Sequence, residues 1–182
     1  FKNNTTLEYV ELPKYLKEIG DRAFSGCTSL SSVAIPYSTT KIGDYAFAYC
    51  ENLKSIKLTR RTESYGTNFL EDTGIEVMSI PVNITIVDAA FNGMKKLKRL
   101  YIHENVQQIT AVFDSQYLSK IVVDHQNKVY DSRNDCNAII ETQSNKLVLG
   151  CKNTRLPNDV RITNLILFSS YPEYLIISDE NL

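Results

Sequence analysis

From Leu7 the chain reads Leu7-x-x-Val10-x-Leu12-Pro13 and then Ile19-Gly20-x-x-Ala23-Phe24-x-x-Cys27. The same string returns as Leu30-x-x-Val33-x-Ile35-Pro36 and Ile42-Gly43-x-x-Ala46-Phe47-x-x-Cys50, each position displaced by 23 residues. Later stretches keep the frame with small deletions: Leu53/Ile56/Leu58/Phe69, Ile75/Met78/Ile80/Pro81/Phe91, Leu97/Leu100/Ile102/Phe113 and Leu118/Ile121/Val123. Phe1 precedes Phe24 by the same interval, so the chain opens on the tail of a preceding unit. A fixed period of this size is the mark of a stacked repeat.

The spacing dictates local structure. In Leu-x-x-Val-x-Leu the fourth and sixth residues fall on one side of an extended strand, because side chains alternate with period two. Each unit therefore supplies one short strand, and stacking the units makes a parallel sheet with neighbours about 4.8 Å apart. The proline that follows has no N–H to give a ladder and suits the strand's exit. Ile-Gly predicts a second short extended segment, with glycine permitting close backbone approach. Ala-Phe-x-x-Cys predicts a helical turn with Phe and Cys pointing inward. One unit alone cannot bury both its faces, so stability must come from neighbours.

Two units depart from the pattern. The third reads Tyr65-Gly66-Thr67-Asn68-Phe69, one residue short, after the polar run Thr59–Ser64; the fifth reads Ile109-Thr110-Ala111-Val112-Phe113, without glycine. Both are expected to distort the convex side locally while leaving the stack intact. After Val123 the frame lapses. Asn137–Thr142 and Lys146–Gly150 are strand-like runs joined by Gln143-Ser144-Asn145, which predicts a β-hairpin at about residues 136–151 inserted between units. Leu156-Pro157 restarts a partial unit, 156–182, with Phe168 in register and a last strand over Tyr174–Ile177. The reading is one solenoid over residues 1–182, with units starting near 7, 30, 53, 75, 97 and 118. Neither end carries a polar cap, so the solenoid is expected to continue in the native protein or to associate end to end.

These strings resemble the BspA-like class of leucine-rich repeats, whose pattern is L-x-x-[VI]-x-[IL]-P followed by I-G-x-x-A-F-x-x-C. The resemblance implies a right-handed superhelix with a parallel β-sheet on the concave face and short strands and turns on the convex side. It also implies a cell-surface or secreted protein that binds host extracellular matrix or another microbial surface protein. The expected function is thus non-catalytic adhesion through a protein partner along the concave sheet. The alternatives are a structural spacer displaying another domain, or a carbohydrate-binding module, which exposed tyrosines favour and the absence of Trp disfavours.

Composition narrows this only slightly. Charge is balanced, with 20 Lys plus Arg against 21 Asp plus Glu, so there is no overall drive toward nucleic acid. No apolar run approaches the roughly 18 residues of a membrane span. No cofactor motif occurs: G-x-S-x-G, P-loop, G-x-G-x-x-G and H-E-x-x-H are all missing. Asp131-Ser132-Arg133-Asn134-Asp135 superficially matches a calcium loop but lacks its glycine and terminal glutamate. Cys27 and Cys50 share one repeat slot and are expected to be buried packing residues. Cys136 and Cys151 flank the hairpin, where they could form a disulfide in an oxidising compartment or remain free thiols.

Candidate binding residues are those the repeat leaves free. The third and fifth positions of each unit's strand face away from the core: Tyr9/Glu11, Ser32/Ala34, Ser55/Lys57, Val77/Ser79, Arg99/Tyr101 and Lys120/Val122. The N-terminal half of this face is small and nearly featureless, whereas the C-terminal half is larger, more aromatic and more basic. Tyr and Arg often carry interface energy, so a partner patch centres on Arg99, Tyr101 and Lys120, joined by Lys57, His103, Val122 and Asp124. A solvated face is the alternative. His103 and Asp124 are the seventh residues of successive units, and Glu104 and His125 the eighth. Stacking would set His103 near Asp124, as a metal or pH-sensitive contact or an ordinary exposed ion pair; no metal is assigned. Lys95-Lys96-Leu97-Lys98-Arg99 is either a polyanion contact or a solvated edge.

Overall fold

In the computed structural model, residues 1–162 are described; Phe168 and Tyr174–Ile177 lie outside them. Two strands recur in each unit. In chain order they are β1 (Glu18–Ile19), β2 (Ser32–Ala34), β3 (Lys41–Ile42), β4 (Ser55–Lys57) and β5 (Ser64–Tyr65). There follow β6 (Val77–Ser79), β7 (Ile86–Val87), β8 (Arg99–Ile102), β9 (Gln108–Ile109) and β10 (Lys120–Val123). The chain is a parallel-strand solenoid of about five turns. In the main sheet β2 pairs with β4, and β6 with β8 and then β10, all parallel. The register sets Val77 beside Arg99 beside Lys120, and Ser79 beside Tyr101 beside Val122.

Inside, the repeat residues fill one continuous core. Leu30, Val33, Cys50, Leu53, Phe47, Phe69, Leu97 and Leu100 all belong to it and are buried. Phe1, Phe24 and Phe47 form a stack of nearly parallel rings, with centroids 5.4 and 5.2 Å apart. Each added coil thus covers the apolar face of the one before, which is how a quasi-one-dimensional fold gains stability.

The Phe-bearing edge is a turn rather than the helical turn expected of it; only Ala89–Phe91 winds into a short 3-10 helix there. The reason lies in its hydrogen bonds. The N–H groups of Arg22, Phe24 and Gly26 donate to the carbonyls of Asp44, Ala46 and Ala48 one coil further on. Tyr45, Phe47 and Tyr49 do the same to Thr67, Phe69 and Glu71. Amides aimed at the next coil cannot close a helix. Arg22, Tyr45 and Tyr49 adopt φ of 53°, 53° and 62° to reach this geometry.

Glycine is required where coils approach most closely. A Cβ built on Gly66 would collide with the backbone of Gly43 and Asp44, and one on Gly43 with Gly20 and Asp21. At Gly20 a Cβ would meet nothing within 4 Å. Beside these glycines, Asp21 accepts the Asp44 N–H at 2.9 Å, and Asp44 accepts the Thr67 N–H at 2.8 Å.

The shortened third unit has a larger effect than local distortion. Between it and the fourth unit neither strand ladder is continuous: β4 does not pair with β6, nor β5 with β7. Tyr65 occupies the slot held by Ile19 and Ile42, and its ring lies 5.1 Å from Phe69 and 5.8 Å from Phe91. The ring thus stands where the two preceding units carry an aliphatic chain, at the boundary where the ladders stop. Asn83 partly repairs the gap: its side-chain amide donates to the Thr62 carbonyl at 2.7 Å. The Phe edge stays connected, because Asn68 donates to Ala89 and Asp72 to Gly93.

Beyond β10, β11 (Tyr130–Asp131), β12 (Ala138–Glu141) and β13 (Lys146–Gly150) form an antiparallel sheet, with a bulge between Ile139 and Ile140. Arg133 ties it together, contacting Asp131 and Asp159 at 2.7 Å and Asn145 at 3.0 Å. Burial would raise the Asp131 carboxyl, but the bonds from Arg133 outweigh it and hold the group below its usual range. Cys136 and Cys151 are buried and unbonded to each other. They point to opposite sides of the hairpin, Cys151 into the main core and Cys136 into a smaller cluster with Ala138, Ile140 and Leu147.

Candidate functional site

Strand alternation turns the third and fifth positions outward throughout the main sheet. Val33, Met78 and Leu100 are buried, while Ser32, Ala34, Val77, Ser79, Arg99 and Tyr101 are exposed. Lys57 is exposed as well, whereas Lys120 and Val122 are half-buried next to the hairpin sheet. The register brings Arg99 and Lys120 side by side on adjacent strands, and Tyr101 beside Val122. Among the described residues neither Arg99, Lys120 nor Lys57 forms an ion pair. Like charges on neighbouring strands do not help the fold. They leave a local positive surface on a chain whose net charge is only -1.

The seventh-position residues prove to be turn formers. His103 Nδ1 accepts the Asn105 N–H at 3.0 Å, and Asp124 Oδ1 accepts the Gln126 N–H at 2.9 Å. Thr59, at the same position of the third unit, accepts the Arg61 N–H at 3.1 Å. In the other units this position is proline: Pro13, Pro36 and Pro81. A side-chain acceptor two residues before an amide and a fixed proline φ are two routes to one turn. Asp124 faces His125 at 3.4 Å rather than His103. No cluster of three or more metal-ligating side chains occurs among the described residues.

The basic run is likewise divided. Lys95 pairs with Asp72 at 2.9 Å and Lys98 with Glu76 at 2.8 Å, while Leu97 is fully buried. Arg99 is left on the strand face and Lys96 on the edge. Cys27 and Cys50 are buried, and each thiol donates to the preceding coil's Phe carbonyl, Phe1 at 3.2 Å and Phe24 at 3.1 Å. Burial pushes the Cys50 thiol up to about 12, far from a reactive thiolate.

The N-terminal part of the face is not featureless, contrary to the strand positions alone. Tyr9, Tyr15 and Tyr37 are 68%, 76% and 60% exposed and border a groove of about 950 Å³ over β2 and β4. Its floor is formed by the outward-facing Ser32, Ala34 and Ser55. Two of these rings carry cations: Lys14 lies 5.4 Å from the Tyr15 centroid and Arg61 5.6 Å from that of Tyr37. Tyr15 and Tyr37 follow the repeat's proline by two residues and one, in loops whose path the strand pattern does not fix. Bulky residues just past Pro13 and Pro36 were the only signal.

No helix among the described residues is long and apolar enough to cross a membrane. The sequence matches no curated protein. A solved leucine-rich repeat protein from Eubacterium ventriosum is similar in fold, with a TM-score of 0.67 and 23% identity over 80% of this chain and 41% of that one. A leucine rich cell surface protein from Faecalibacterium prausnitzii gives a TM-score of 0.56 and 29% identity, over 62% of this chain and 31% of that one. The chain thus spans less than half the length of either structure. Six copies of the BspA type leucine rich repeat match residues 1–118, and with the stacked coils described above they show that the chain belongs to this repeat family.

Proposed function

We propose that the chain is a non-catalytic protein-binding module of a cell-surface or secreted protein, engaging an adhesion partner such as a host matrix or microbial surface protein along the strand face. The observation that carries this reading is the Arg99–Lys120 pair beside Tyr101, outward-facing and without ion pairs among the described residues. Arg and Tyr side chains turned away from the core, and unengaged by ion pairs, are what an interface needs. The surface location is supported by the family and by the Faecalibacterium protein, which is described as a cell surface protein. The test is capture of purified host matrix proteins by the immobilised chain, with Arg99→Glu plus Tyr101→Ala as the control. Loss of capture in the double variant is expected; capture equal to the parent chain would remove this patch from the account.

A further inference from the structure

We propose that the groove over β2 and β4 is a second, separate docking site, and that its occupant is a segment of a partner protein rich in carboxylates and aromatic or aliphatic side chains. The groove's charge is one-sided. Lys14, Lys17, Lys57 and Arg61 border it, against Glu11 as its one acid. None of these four cations forms an ion pair among the described residues. Two of them lie over the exposed rings of Tyr15 and Tyr37, so cation and aromatic are presented together. A carboxylate meeting such a pair gains from the charge, while the flanking ring offers apolar contact.

The groove's surface decides between anionic partners. Most of it is apolar, supplied by exposed Ala34 and by half-buried Val10, Leu12 and Pro36. A polyanionic glycan would meet the cations and lay sugar faces on the tyrosines, but would bring no aliphatic or aromatic side chain to the floor between them. A peptide that alternates acidic and apolar side chains satisfies both. Exposed Tyr and Arg are also the side chains that most often carry interface energy. The groove lies over the face of the β2–β4 ladder, away from its strand edges, so recognition in the groove runs through side chains.

This site deepens the protein-binding reading; Lys57 belongs to both, but Arg99, Tyr101 and Lys120 lie outside the groove, so the two can fail independently. The probe is a fluorescent random copolymer of Glu and Tyr, titrated into the intact chain, with poly-Glu and heparin as parallel probes. Binding of the Glu–Tyr copolymer is expected, with Lys14→Glu plus Arg61→Glu weakening it by about tenfold or more and Tyr37→Ala by about tenfold. Arg99→Glu should leave it unchanged, which separates this site from the first patch. All of these side chains are exposed, so the variants should keep the parent's thermal unfolding. The proposal is overturned by absent binding, by equal binding of poly-Glu (charge alone), by tighter binding of heparin (a glycan site), or by variants that bind like the parent.

Discussion

Tyr65 packs against Phe91 of the following coil, with ring centroids 5.8 Å apart, at the boundary where both parallel ladders are interrupted. At the equivalent step elsewhere, Gly66 donates its N–H to Ile42 and Thr110 donates to Val87, each at 2.7 Å. Asp88, which should donate to Tyr65, makes no such bond. The solenoid is therefore held at this point by its Phe edge and by side chains.

Hydrogen exchange reads this directly. The Asp88 amide should exchange at least about tenfold faster than those of Gly66 and Thr110, because no inter-coil bond must open first. Equal protection at the three amides, measured by NMR, would mean that the ladder runs through the boundary in solution.

Close coil approach predicts a position-dependent cost for one substitution. Gly66→Ala drives a Cβ into the backbone of Gly43 and Asp44, and should destabilise the fold by about 1–3 kcal/mol in urea unfolding. Gly20→Ala meets nothing, and should be neutral or stabilising by up to about 1 kcal/mol through the unfolded chain. Similar losses at both sites would show that glycine serves chain flexibility here rather than coil spacing.

Alkaline titration tests the buried groups. Burial raises the Cys50 thiol from its ordinary 9.0 to about 12 and the Tyr65 phenol from 10.0 to about 12. The folded chain thus holds these protons to higher pH than the unfolded chain does. Stability is complete below about pH 9 and falls as pH rises toward 12. Unfolding midpoints followed from pH 8 upward should decline in that window, and a flat profile would contradict the burial. At neutral pH all four buried thiols should react with Ellman's reagent only after denaturation. A mass change on reduction would reveal a disulfide.

Much of the architecture was legible because the repeat encodes it twice, once in period-two alternation and once in the recurrence of Phe and Gly. Val33 and Leu100 faced inward for the reason their spacing gave, and Arg99 and Tyr101 outward. The Phe edge was misread as helical because Ala-Phe-x-x-Cys has helical spacing. What decides it is that Phe24 and Phe47 donate their amides to the next coil, a tertiary preference over local geometry. The Cys136–Cys151 pair was ambiguous because sequence distance says nothing of facing, and the hairpin's antiparallel register sends the two thiols into different clusters. His103 and Asp124 stood out as chemistry because they are rare types at matched positions, yet Thr59 in the same slot makes the same local bond. The groove tyrosines were missed because the consensus is silent about the loops that carry Tyr15 and Tyr37.

The central claim is that stability comes from coil-on-coil burial, and one pair of substitutions tests it most directly. Phe47 is fully buried between neighbouring coils, whereas Phe1 is 70% exposed with Phe24 on one side. Phe47→Ala should lower the free energy of unfolding in urea by about 3–5 kcal/mol, and Phe1→Ala should lower it only slightly. Equal losses at the two positions would contradict the stacked-coil account.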